Sequence, residues 1–390
     1  MSVIALRAAR VFDGTDMAAE PTVVLDGGRV VAAGVAVPDA VDLGDVTVLP
    51  GMIDVHVHLA FDAGPDAVGT LAARSPEEVR AAMIDAGRRT LRAGVTTVRD
   101  LGDLNYGSLA LRDHPELPTI VAAGPPVTTV GGHCHFLGGT VQPGEAAIRA
   151  AVRERADRGC DVVKIMASGG SMTKGTAQHQ PQFEVAELRA AVDEAHRHGL
   201  PVVAHAHATE GIAAALEAGV DGLEHVSFWT ADGIDDRPDL IDLIAERGVA
   251  VGASIGAAPV SEAARQAVLA SRPQTAEVFA RLPKIMAVYT RLIEAGAVVV
   301  AGTDAGIGPQ KPHPSLPNAV PQLVALGMTP VDALRAVTSV AAEVCGLAGR
   351  KGRLAPGFDA DMVVVAGDPL TNPAAIHDVQ AVYLGGTKVR

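Results

Sequence analysis

The hydrophobic pattern of the chain changes rhythm twice. Residues 1–49 are short apolar runs, VIALRAARVF, TVVLDGG and RVVAAG, divided by Asp-Gly, Gly-Gly and Pro. No helical period occurs in them, so they predict short strands and tight turns. The far end, with DADMVVVAGDP and VQAVYLGGTKV, has the same texture. Two β-rich ends around a different middle predict one small β domain assembled from both, since chain ends often lie close together.

The middle alternates short apolar strands with stretches of helical period, such as SPEEVRAAMIDAGRRTLRAG and VAELRAAVDEAHRHG. The strands expected are 52–60, 95–100, 119–127, 162–168, 201–208, 222–228, 250–256 and 298–306. Eight strands alternating with helices predict an α/β chain whose centre is a (β/α)8 TIM barrel. The expected division is 1–50 for the first part of that β domain, 51–350 for the barrel and 351–390 for the returning part. The rival is an open doubly wound sheet. It would ask for a glycine-rich phosphate turn, and neither GxGxxG nor GxxxxGK[ST] occurs.

Composition narrows the function. Of 390 residues, 48% are hydrophobic and 20% charged, which excludes global disorder. There are 32 Lys and Arg against 45 Asp and Glu, a net charge of −13, with no basic block. That balance argues against nucleic acid and against anionic lipid as partners. No apolar run approaches the ~18 residues of a membrane span. The opening MSVIALRAARVFDG is broken by Arg7 and Arg10, a poor signal peptide. Cys134, Cys160 and Cys345 make no disulfide framework and no CxxC, which fits a reducing, cytoplasmic setting. A small-molecule substrate is the expected partner, and a homo-oligomer is left open.

The candidate chemistry lies on the strands. Residues two apart share a face, so Asp54, His56 and His58 face one way and Ile53, Val55, Val57 and Leu59 the other. The histidines then point into the barrel, where Val, Ile and Leu are usual. A shared metal ion is the simplest reason, and a hydrogen-bonded core pair the blander one. Lys164 in VVKIMAS has apolar neighbours on both sides, so it is either paired with a carboxylate or functional. His205 and His207 share a face in VVAHAHA. His225 ends GLEHVSF and Asp304 closes VVVAGTDAG. All lie near the carboxyl ends of their strands, where barrel enzymes place their sites.

These residues, with GMIDVHVH before them and GRLAPGFDADMVVVAGDPL after, resemble the amidohydrolase superfamily, and the latter segment resembles the returning part of its small β-sandwich, which implies that the β domain of the two ends is a β-sandwich. VKIMASGG and AHAHATEGIAAALEAGVDGLEHVSF resemble its imidazolonepropionase-related, prolidase-like hydrolases. The resemblance implies two divalent metal ions, first of all zinc. His56, His58 and Asp304 would hold one ion and His205 and His225 the other. Lys164, carboxylated by CO2, would bridge them. It implies hydrolysis of a C–N bond in an amide, dipeptide or carbamate. Hydroxide would come from a water whose pKa the ions lower to ~7, with Asp304 as proton shuttle. The alternatives are a mononuclear deaminase or imidazolone-type cyclic amide hydrolase, and a non-catalytic scaffold barrel.

Further candidates are weaker. His207 can replace His205 as ligand, or orient a neighbour or touch substrate. The resemblance gives His133, in GGHCHFLGG, a substrate-binding role. Trp229 either walls a substrate pocket or packs on a helix. Residues 168–183 read as a flexible lid in which Lys174 and His179 can meet substrate. Arg99 and Asp100 read as an ion pair beneath the site. Prolidase-like relatives also carry a tyrosine near the later strands for a substrate carboxylate. Here the tyrosines are Tyr106, Tyr289 and Tyr383, and none falls in strands six and seven or the loops after them.

Overall fold

A computed structural model describes residues 3–390, so residues 1 and 2 of the expected first segment lie outside it. Its centre holds eight strands, numbered here in chain order: β1 Met52–Val57, β2 Val95–Asp100, β3 Thr119–Ala122, β4 Val163–Met166, β5 Val202–Ala208, β6 Gly222–Trp229, β7 Ala250–Ser254 and β8 Val299–Gly302. The chain is α/β and every pairing among these strands is parallel. β1–β2–β3 form one sheet and β4–β5–β6–β7–β8 a second. Parallel bridges join the two at both edges. Val127 meets Ile165 beyond β3, and Val57 meets Ala305 beyond β8. The amide of Val127 donates to Lys164 O at 2.8 Å, and that of Asp304 to His56 O at 2.7 Å.

Nearly every residue of these strands is buried, as expected of parallel strands covered on both faces. The helices cover one of those faces. Ser75 caps the helix Pro76–Arg92 in a reciprocal box with Glu78, with Pro76 in the first turn. Such a cap contributes about 1 kcal/mol. Val79, Met83, Ala86, Thr90 and Leu91 make its buried stripe, and Gly94 (φ +90°) turns the chain into β2. The helix Val185–Arg197 likewise buries Leu188, Ala191, Val192 and Ala195. Ile53 and Val55 of β1 pack with Ala341 and Ala342 of the helix Ser339–Val344.

The chain ends pair with each other. Met362–Ala366 lies antiparallel to Val46–Pro50, with Met362 opposite Pro50 and Ala366 opposite Val46. A second sheet runs Arg29–Ala33, Thr22–Asp26, Ile4–Arg7, Val41–Asp42. Leu6, Val11, Val23, Val30 and Val48 from the first segment share one apolar cluster with Met362, Val364 and Ala381 from the last. Among the described residues no helix is long and apolar enough to cross a membrane.

Candidate active site

The carboxyl ends of the central strands bring His56, His58, Lys164, His205, His207, His225 and Asp304 to one cavity, with His133 beside them. The first group converges tightly. His56 Nε2 and His58 Nε2 are 3.2 Å apart, and Asp304 Oδ1 is 3.5 and 3.2 Å from them. Each donor is aimed from behind. The Nδ1–H of His56 donates to Glu224 Oε2 at 2.8 Å, and that of His58 to Gly102 O at 2.9 Å. Lys311 Nζ donates to Asp304 Oδ2 at 2.9 Å and to Ser254 Oγ at 2.7 Å. The lone pairs of both Nε2 atoms and of Oδ1 are thus turned to a common centre. Such back-side bonding is how ligating histidines are held.

The second group is His205, His207 and His225. His207 lies 4.4 Å from His225 in a stack, and both rings meet His205 at 4.6 Å. His205 Nε2 donates to Gly169 O at 3.2 Å, and His207 Nδ1 is 2.7 Å from Ser227 Oγ. Lys164 is 1% exposed and its Nζ has no hydrogen-bond partner. The expected paired alternative, a lysine satisfied by a carboxylate, is therefore not what the structure holds.

Backbone strain sets two of these side chains. Along a regular strand Glu224 and His225 would face opposite ways. His225 instead has φ +74°, followed by Val226 at +46° and Phe228 at +48°. That turns both side chains of the pair inward. Asp304 has φ +56° just beyond β8. Left-handed backbone at a non-glycine residue costs on the order of 1–3 kcal/mol and gathers at functional sites. Small neighbours leave the room. A Cβ on Gly302 would come within 2.6 Å of His56 Cβ, and one on Gly170 within 2.5 Å of the His133 ring.

Burial governs the protonation states. It pushes His56 down to about 4, with the Lys164 charge adding to the effect. It pushes His133 and His207 down to about 3, and His205 and His225 well below the usual range. Burial, then the Arg99 charge, lowers Lys164 to about 8, although Glu224 opposes this. Burial would raise Asp304, but Lys311, His56 and His58 outweigh it and hold the carboxyl well below the usual range. His58 moves upward, because its bond to Asp304 overcomes burial. The site therefore offers several neutral imidazoles and an ionised carboxylate, the forms that bind divalent cations. The 3.2–3.5 Å spacing of the first group is what three ligands ~2.0–2.2 Å from one ion would show. The second group's nitrogens lie within 4.8 Å of one another, and the partnerless Lys164 amine lies in the same cavity. These residues fit a pair of metal ions.

Three sequence expectations change. Arg99 does not pair with Asp100. Its Nη2 donates to Glu224 Oε1 at 3.0 Å and its Nε to Val55 O at 2.7 Å, while Asp100 accepts the amides of Leu59 and Gly102. Trp229 lies outside the cavity lining, in the core, with the Arg281 guanidinium 4.4 Å over its ring. Of the two roles open to it, packing on a helix (Thr275–Glu294) is the one it has. Residues 168–183 are a pinned cover rather than a loose lid. Thr173 Oγ1 accepts the Cys134 amide at 2.8 Å, Gln180 O accepts the Gly169 amide at 2.8 Å, and Ser171 O accepts from Gln274 Nε2 at 2.8 Å. Ser171 and Met172 line the cavity, and Lys174 and His179 do not. Glu224 and Lys311 were not anticipated. A carboxylate inside the apolar run GLEHVSF was the one available signal for the first, and nothing in the local sequence marks the second.

The amidohydrolase family profile matches residues 47–389. The chain is 28% identical over 368 residues to an ochratoxinase of Aspergillus niger, covering 86% of this chain and 73% of that one. It is 26% identical over 365 residues to an imidazolonepropionase of Salinispora tropica, covering 86% and 81%. A solved Xaa-Pro dipeptidase with methionine bound in its active site superposes with a TM-score of 0.85 at 26% identity, over the whole of both chains.

Proposed function

The chain belongs to the amidohydrolase family, and we propose that it is a binuclear metal-dependent hydrolase cutting a C–N bond in a small amide, dipeptide or carbamate. In this reading β1–β8 close into a (β/α)8 barrel (51–350), and residues 1–50 and 351–390 form one sandwich beside it. The amide-cleaving names among its relatives support the class. The observation that carries the reading is Lys164, buried, partnerless and lowered to about 8 in one cavity with two donor groups.

His56, His58 and Asp304 would hold one ion. His205 and His225 would hold the other, with Lys164 shared as its carbamate. Zinc suits nitrogen and oxygen donors of this kind. When bound, the ions supply a Lewis acid for the substrate carbonyl and a water of lowered pKa. The chain's own residues do the rest. Asp304 accepts a proton at its carboxylate and returns it to the departing nitrogen. Lys311, bonded to Oδ2, fixes the orientation of that carboxylate. His133, whose Nδ1 has no partner, is placed to meet the substrate, and His207 stands beside His225. The cover of residues 168–183 keeps bulk water out.

Metal counting and one substitution test this. Protein loaded with zinc and bicarbonate should hold two ions per chain and cleave members of a panel of dipeptides, N-acyl amino acids and aryl carbamates. Lys164→Ala should lose bound metal and at least about 100-fold in kcat. Full activity in Lys164→Ala, or one tight ion per chain in the wild type, would instead favour the mononuclear alternative.

A further inference from the structure

We propose that Arg272 is the anion-recognition residue of this site, and that the substrate carries a free carboxylate, as an N-acyl amino acid or a dipeptide does. This rests on the hydrolase reading above and narrows it.

Three arginines are buried among the described residues: Arg99, Arg155 and Arg272. Arg99 pairs with Glu224, and Arg155 spends its donors on Pro125 O and Ala151 O. Arg272 is different. It is 6% exposed and no carboxylate lies within ion-pairing distance of it among the described residues. Its Nε has no partner at all. Nη2 donates to Ile307 O at 2.8 Å, and Nη1 faces the Met172 thioether. A thioether is a poor acceptor for a guanidinium, and a buried cation without an anion is costly. Burial works against the charge, and the more distant carboxylates of Asp304 and Asp66 only partly offset it.

The two groups that Arg272 touches, Met172 and Ile307, both line the cavity with His133 and Asp304. The guanidinium therefore stands one side chain behind the cavity wall. That wall is movable at one point. Met172 belongs to the cover, and its three rotatable bonds let it leave without a backbone change. Its departure would also enlarge the cavity, which as it stands is about 40 Å³. That holds about three waters and no acyl amino acid. A carboxylate arriving where the Met172 sulfur lies would accept from Nη1 and give the guanidinium the anionic partner it lacks. The neighbouring cation, Lys311, is already committed to Asp304 and Ser254.

The test uses the full zinc-loaded chain and two matched pairs of probes. N-acetyl-L-leucine and N-acetyl-isopentylamine share an amide and differ by the carboxylate. 4-Methylvalerate and 4-methylvaleramide do the same as non-cleaved ligands. Wild type should favour the carboxylate substrate by about 100-fold or more in kcat/KM, and calorimetry should show tighter binding of 4-methylvalerate than of its amide. In Arg272→Gln both preferences should collapse, chiefly through KM, and Arg272→Lys should recover part of them. If Arg272→Gln does not fold, Arg272→Lys and the two ligands on the wild type remain as readouts. An equal response to both members of each pair in the wild type would overturn the inference while leaving the hydrolase standing. So would a carboxylate preference that persists undiminished in Arg272→Gln, because the metal ions would then be its source. No turnover of any amide, dipeptide or carbamate would defeat the hydrolase reading, and the calorimetry would still report on Arg272.

Discussion

Glu224 shows how much a single side chain carries here. Its carboxylate lies between the Arg99 guanidinium and the His56 ring, fully buried. Burial would raise its pKa, yet His56, Lys164 and Arg99 outweigh burial and hold it low. It therefore stays an anion, and an anion at Nδ1 is what turns the His56 Nε2 lone pair toward Asp304 and His58. Replacing Glu224 with Gln keeps the shape and removes the charge. Metal affinity should fall about 10- to 100-fold, read by chelator competition, with the far-UV spectrum unchanged. Unchanged affinity would make Glu224 a packing residue only. The histidines were visible in the sequence because imidazole inside an apolar strand is conspicuous. Glu224 was overlooked because strand alternation places it opposite His225, and only the +74° φ of His225 puts both on the inside.

At the scale of the element, strand register and side-chain size work together. Asp304 reaches the site because its amide pairs with His56 O while β8 runs alongside β1. Gly302, two residues earlier, lies against His56, with no room for a Cβ between them. Gly302→Ala should cost about 1–3 kcal/mol in denaturant unfolding, the usual penalty of overpacking, and should weaken metal binding as His56 is pushed. A neutral result would mean that β1 and β8 separate more easily than their pairing implies. Strand and helix positions were legible because their signals are local: apolar runs of a few residues, and helical stripes such as Val79–Met83–Ala86. The cover was misread for the opposite reason. Its glycines suggest freedom, but its partners Cys134 and Gln274 are remote in sequence.

Across the whole molecule, the buried titratable groups set a pH dependence. His56, His133, His205, His207 and His225 are all lowered by burial. Each binds its proton more readily in the unfolded chain. The stability they contribute is complete above about 6.5, the ordinary histidine value, and is lost as pH falls toward 4 and 3. Asp54 and Asp103, both raised to about 7 chiefly by burial, act the other way and favour the folded state at low pH. With His313, also lowered to about 4 by burial, six histidines outnumber the raised groups Asp54, Asp100, Asp103 and His58 and decide the direction. Metal-stripped protein should lose thermal stability steeply from pH 6.5 to pH 4, and bound zinc should deepen the loss because protons compete for the same nitrogens. A midpoint that holds steady across that range would show that water reaches these rings.

The local pattern was enough to identify an α/β chain, the spacing of its strands, the family it resembles and most of the ionisable groups that meet in the cavity. Those features depend on neighbours a few residues apart, and a linear text displays them. Three-dimensional packing decided the rest: that Glu224 and not Asp100 answers Arg99, that Lys311 holds Asp304, that Trp229 is core, and that Arg272 is buried without an anion. All but the Lys311–Asp304 pair, seven residues apart, join strands or loops tens to hundreds of residues apart. Their energies come from desolvation and from backbone strain, which exist only once the chain has closed around them.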